Sequence, residues 1–100
     1  MFFTIHELLG IGQENAITAA KLAEALGTNV RQVQAAVRRE RLEGVPICAT
    51  KSCPPGLFIA TGPMELERYR CSLDSELRNL RKTREAVTDM LDAMTRQVRL

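Results

Sequence analysis

The chain has 100 residues, enough for one small domain and an appendage but not for two full domains. Aromatic residues make up only 4% against 45% apolar overall, which predicts a helical kind of core built from Leu, Val, Ala and Ile. A net charge of +2 excludes a polycation, so any basic footprint must be local; no apolar run approaches the ~20 residues of a membrane span, no secretory signal is visible, and the chain reads as cytoplasmic.

At the start, Thr4 and Glu7 stand three apart ahead of an apolar run, which predicts a capping box and a short first helix. Ile5, Leu8, Leu9 and one of Phe2 or Phe3 would face the core from it, and Gly10 and Gly12 would end it. His6 has no acid or cysteine beside it in the sequence and reads as a surface or partly buried structural histidine. After the polar turn Gln13-Glu14-Asn15, the pair Ala16-Ile17 suggests a very short strand.

The stretch 17–44, ITAAKLAEALGTNVRQVQAAVRRERLEG, predicts two helices joined by a tight turn. Thr18 can cap the first, and Leu22, Ala23 and Leu26 share one face. Gly27 falls where the chain needs positive φ. Thr28 is the expected second cap, and Val30, Val33 and Val37 recur at helical spacing as the core face. Ala23 is small where two steeply crossing helices must approach closely. The second helix carries Asn29, Arg31, Gln32, Gln34, Arg38, Arg39 and Arg41 on or beside its polar face. Arg, Asn and Gln are the side chains able to make bidentate contacts with base edges in a major groove. Glu40 and Glu43 appear only in its last turns.

Beyond Gly44 the pattern turns β-prone. Residues 45–50 and 57–61 predict a hairpin around the six-residue loop Lys51-Ser52-Cys53-Pro54-Pro55-Gly56, with Pro46 suited to an edge position. Gly62 or Thr61 can then cap a helix that Pro63 opens, with Glu65 and Glu67 at the positive end of its dipole. From there to Val98 no Gly or Pro occurs, so a continuous helix would run roughly 50 Å. Leu66, Leu73, Leu80, Val87 and Met94 repeat every seven residues, interleaved with Arg70, Leu77, Arg84, Leu91 and Val98. Eight of these ten seam positions are apolar. A stripe of period 3.5 on so long a helix predicts pairing with a second copy, with Leu66, Leu73, Leu77, Leu80, Val87, Leu91 and Met94 as its contacts. Arg70 and Arg84 would weaken the seam.

Cys48, Cys53 and Cys71 match no ligand spacing, and reduced thiols packed as small hydrophobes are expected. Paired acids, a nucleophile with its base, a phosphate-binding loop and a metal-ligand cluster are all missing from the pattern, so no catalytic residue, metal or cofactor is expected.

A helical pair of this spacing, followed by such a hairpin, resembles the winged helix-turn-helix family over Thr4 to about Thr61. The run "NAIT..KLAEALGTNVRQVQ..V.RER.EGVPI" is similar in style to the small members that phages and prophages encode. The resemblance implies a DNA-binding domain over 1–61; with the heptad pattern of the long helix, the expected fold is mainly α with a small β-hairpin and a coiled-coil type oligomerisation helix over 62–100. It also implies that 28–43 enters a major groove and that Lys51 is the cation at the wing tip. The contacts to duplex DNA would then come from Thr28, Asn29, Arg31, Gln32, Gln34, Arg38, Arg39 and Lys51, in a dimeric transcription regulator. This wing carries only one basic residue, a departure from the family pattern. The other expectation is an interaction or assembly module for replication or packaging machinery, which would follow if the protein's own acids engaged the arginines of the second helix.

Overall fold

Among the described residues, two single 3-10 turns (His6–Leu8 and Gln13–Asn15) lead into α1 (Ala19–Leu26), α2 (Val30–Leu42), β1 (Ile47–Thr50), β2 (Gly56–Ile59) and α3 (Pro63–Val98). The computed structural model describes residues 4–98. The chain is mainly helical, with a small antiparallel hairpin and a long C-terminal helix. It divides into two compact units, Met1–Tyr69 and Arg70–Leu100.

The helical pair forms where the sequence puts it, with one cap displaced. The Thr18 hydroxyl accepts a hydrogen bond from the Lys21 N–H at 3.2 Å and so starts α1. Gly27 ends it at φ 66°, ψ 35°, the left-handed conformation that a side chain disfavours. The Thr28 N–H closes back onto the Ala23 carbonyl at 2.9 Å, which draws Thr28 into the terminating turn. Thr28 is therefore not the second cap. Asn29 is the first extended residue beyond the closure, and its side-chain oxygen accepts from the Gln32 N–H at 2.9 Å.

Leu22 and Ala23 of α1 are buried with Val33, Ala36 and Val37 of α2, and Ile5, Leu9, Ile47 and Leu57 complete one cluster. Each large apolar side chain buried this way contributes roughly 1.5–3 kcal/mol. Two expected core residues lie elsewhere: Val30 is 38% exposed at the start of α2, and Leu8 is 49% exposed. The first helix is also shorter than expected. It is a single 3-10 turn with Ile5 at its cap position and no side-chain cap bond, so the expected Thr4–Glu7 box does not form. The expected core contribution of Phe2 or Phe3 lies outside the described residues.

The hairpin pairs Ile47 with Ile59 and Thr50 with Gly56, around a five-residue loop, 51–55. The strands are shorter than the β-prone runs because Pro46 has no N–H to donate; its carbonyl still accepts from Ala60 N–H at 3.0 Å. The outer edge of β2 is covered by two isolated bridges. Ile17 and Leu57 exchange both backbone hydrogen bonds, at 3.0 and 2.7 Å, and Ile11 pairs with Ile59. The short strand expected at Ala16-Ile17 is thus one bridge. Gly56 permits it: at φ 130° its missing Cβ would stand 2.3 Å from the Ile17 backbone. Glu65 fixes the first turn of α3. One carboxylate oxygen accepts from the Thr61 N–H (2.7 Å) and hydroxyl (2.9 Å), the other from the Gln13 N–H (3.2 Å). These bonds, the Thr61 N–H foremost, hold its carboxyl below the usual range.

Glu40 is the one buried charged residue among the described residues. From the inner face of α2 its carboxylate accepts the backbone N–H groups of Ile5 (2.7 Å) and His6 (2.9 Å) and contacts His6 Nδ1. The sequence offered no sign of this partnership, because 34 residues separate His6 from Glu40. Burial alone would push the carboxyl up, but the two N–H donors and the imidazole more than offset it, and the group titrates below the usual glutamate range. Glu40→Ala leaves buried donors without an acceptor and should cost about 1–3 kcal/mol in urea unfolding. Because the folded pKa is the depressed one, the contribution of Glu40 is complete above the ordinary pKa of ~4.3 and drains away as pH falls below it. Wild-type stability should therefore fall more steeply than that of Glu40→Gln as pH is lowered through that range.

Candidate nucleic-acid interface

At ~100° per residue, the buried positions Val33, Ala36, Val37 and Glu40 define the inner face of α2. Directly opposite them run Arg31, Ala35 and Arg38, all exposed. Arg31 and Arg38 make no hydrogen bond or ion pair with other described residues. Ala35 is the small residue between them, where a ligand could approach the helix closely. Its signal was present in the sequence as the mirror image of the core spacing, but expectation rested on the polar residues alone. Val30, displaced from the core, adds an exposed apolar group at the N-terminal rim of the same helix.

The remaining α2 residues flank that line. Gln32 is exposed on one side, with only its backbone N–H engaged by the Asn29 cap. The Asn29 side-chain oxygen is committed to the cap, which leaves its amide NH2 group for any outside acceptor. Arg39 lies on the same flank, 3.6 Å from Glu43 and 3.9 Å from Glu40, so its charge is partly neutralised. Such pairs at a surface are weak and salt-screened. Gln34 sits on the other flank, exposed beside a cavity of about 290 Å³ that Val37, Arg41, Ala49, Leu57 and Tyr69 also line.

Arg41 belongs to the scaffold. Its Nε donates to the Ile47 carbonyl at 2.8 Å, and its guanidinium lies 4.9 Å from the centre of the Tyr69 ring. It thereby ties α2 to β1 and to the second turn of α3. Lys51 is exposed in the hairpin loop, where Thr50 accepts from the Ser52 N–H at 3.1 Å and shapes the turn. Thr28 is half-buried in the turn before α2. Arg31, Gln32, Gln34, Arg38 and Arg39 therefore share one helix, with Thr28 and Asn29 at its start, and Lys51 comes from a separate loop.

Of the three thiols only Cys48 packs as a small hydrophobe; Cys53 and Cys71 are exposed, contrary to expectation. Burial, with Glu65 nearby, pushes the Cys48 thiol up, so it stays protonated. On α3, Leu66, Leu73, Leu77, Leu80, Val87, Leu91 and Met94 are each between 38% and 66% exposed. Every described side chain from Arg70 to Arg96 is exposed in the single chain. Among the described residues no helix is long and apolar enough to cross a membrane. No family model, no curated protein and no solved structure matches the chain.

The two kinds of arginine on α2 should separate by experiment. Arg41→Ala should destabilise the fold by about 1–2 kcal/mol, through loss of the hydrogen bond that its Nε donates to the Ile47 carbonyl and of packing on Tyr69. Arg38→Ala should leave the unfolding midpoint within about 0.5 kcal/mol of wild type.

Proposed function

We propose that the chain binds double-stranded DNA as a winged helix-turn-helix protein and acts as a dimeric transcription regulator. In this reading α1 and α2 are the helix-turn-helix, and α2 enters a major groove. The hairpin is the wing, with Lys51 against a flanking phosphate, and α3 joins two copies through its seam. The observation that carries it is the outer line of α2: two arginines without acidic partners among the described residues, flanked by two glutamines, on a helix held from behind by the core.

Charge and shape both favour this reading over an assembly module. Two of the acids that could have silenced the arginines are committed elsewhere: Glu40 chiefly to the N-terminal turn, Glu65 to Thr61 and Gln13. Among the described residues of this face only Arg39 has acidic partners, Glu40 and Glu43, at the C-terminal end of the helix. Arg31 and Gln32 stand in the first turn of α2, the part of such a helix that reaches deepest into a groove, and are suited to guanine and adenine edges respectively. Arg38, two turns on, is placed for the phosphate backbone. A monomer with so few cations would bind weakly at physiological salt, and pairing supplies the second set of contacts.

Selection of bound sequences from a random duplex library tests the reading. The full chain should enrich a site with two related halves. Arg31→Ala should relax the preference at one base position in each half by about 1–3 kcal/mol, whereas Arg38→Ala should weaken all sequences alike and lower the salt slope by about 1. A pool with no enriched sequence, bound no better than by Arg38→Ala, would refute duplex readout by this face. Leu77→Glu combined with Leu80→Glu should yield a folded monomer that binds the enriched site far more weakly; an unchanged dimer would refute the seam.

A further inference from the structure

The exposed row on α3 has a charge pattern that bears on how two copies lie together, a question resting on the reading of the chain as a seam-paired protein. The seam positions include Arg70 and Arg84, and its apolar members from Leu66 to Met94 are uncovered in the single chain. Flanking them, Asp74 and Glu76 form an acidic block, and Arg78, Arg81 and Lys82 form a basic block directly after it, which Arg84 extends within the seam. We propose that α3 pairs antiparallel with α3 of a second copy, with Leu77 packed against the second copy's Leu80.

Two features of the pattern point the same way. In a parallel, in-register pair each seam residue faces its own counterpart, so Arg70 meets Arg70 and Arg84 meets Arg84 inside the seam, where the axes lie only ~8–10 Å apart. Reversing one helix makes the two sets of seam positions face each other. Arg84 then lies on Leu73 with the acids Asp74 and Glu76 to either side, Arg70 lies on Val87, and no arginine meets its equal. With Leu77 on Leu80, the basic block of each copy also covers the acidic block of the other, bringing Arg81 beside Asp74 twice by symmetry. Sliding by one heptad, to place Leu77 on Val87, would instead set Arg81 on Arg81. A parallel pair could still gain Glu76–Arg81 contacts, but these sit at the solvent edge and are screened, whereas its arginine layers lie in the seam itself.

The orientation fixes where the two globular units are attached. Tyr69, the last residue of the first unit, would stand against Thr88 of the second copy. The two Tyr69 positions are then about 19 residues apart along the pair, a separation of ~28 Å. Successive major grooves on one side of a duplex are ~34–36 Å apart. An antiparallel pair therefore holds the two attachment points at nearly the spacing of two half-sites, while a parallel pair brings them side by side.

The test is a nitroxide distance measurement on the full chain with Asp89→Cys as the labelling site, in a Cys53→Ser, Cys71→Ser background that leaves buried Cys48 in place, together with sedimentation equilibrium. Asp89 faces outward, and in the antiparallel register its copies are offset by about 21 residues, so a dimer with a label separation of ~40 Å is expected. A dimer whose labels are under ~30 Å apart overturns the antiparallel orientation and leaves seam pairing intact. A chain that sediments as a monomer at tens of micromolar overturns the pairing itself and, with it, the dimeric part of the proposed function.

Discussion

A buried carboxylate decides which side of α2 meets the outside. Glu40 is locked inward by the Ile5 and His6 N–H groups and by the His6 ring. An ionised acid removed from water is tolerated only where several donors surround it, so this contact specifies the rotation of α2 as well as its stability. The apolar residues Val33, Ala36 and Val37 set the same orientation less selectively, since hydrophobic burial has no direction. Taken together they leave Arg31, Ala35 and Arg38 opposite the core. The same commitment keeps Glu40 on the side of the helix opposite Arg31 and Arg38, with only Arg39 among the described arginines within reach, at 3.9 Å.

The scaffold beyond α2 extends that logic. Arg41, one residue after the buried acid, is spent on the Ile47 carbonyl and the Tyr69 ring, and Glu65 is spent on Thr61 and Gln13. The charged groups near the core thus join α2, the hairpin and the opening of α3, and the cations without acidic partners stay outside. The polar contacts described along the later part of α3 are local, such as the hydroxyls of Thr83, Thr88 and Thr95 on carbonyls four residues earlier. The apolar row there has no such local use. Exposed apolar residues at this regular spacing are the surface that the proposed pairing with a second copy would cover.

Much of this was legible from local chemistry. Thr18, Gly27 and Pro63 act where their side chains or backbone preferences predict, and the heptad spacing marked the long helix without aid from any tertiary contact. Failures arose where a neighbouring requirement won. Thr28 lost its cap role to the turn closure at Ala23, Val30 lost its core place because α2 begins at the rim, and Thr4 did not cap because the segment makes only one 3-10 turn. The partnership of Glu40 with His6 and the close approach of Gly56 to Ile17 had no local signature, since both join residues far apart in the chain. At the candidate interface, residue types were readable but rank was not. Arg38 and Arg41 look equivalent in the sequence, and only the packing shows that one points outward while the other braces the fold.

The central claim is that the outer line of α2 is the surface that touches duplex DNA. It is tested most directly by titrating the isotope-labelled full chain with an enriched duplex and mapping the amide resonances that move. The account predicts shifts concentrated at Asn29 to Arg39, with a second group around Lys51, and little change at Ile5, His6 and Glu40. Shifts confined to α3, or centred on the Arg41–Tyr69 side with α2 otherwise silent, would contradict it.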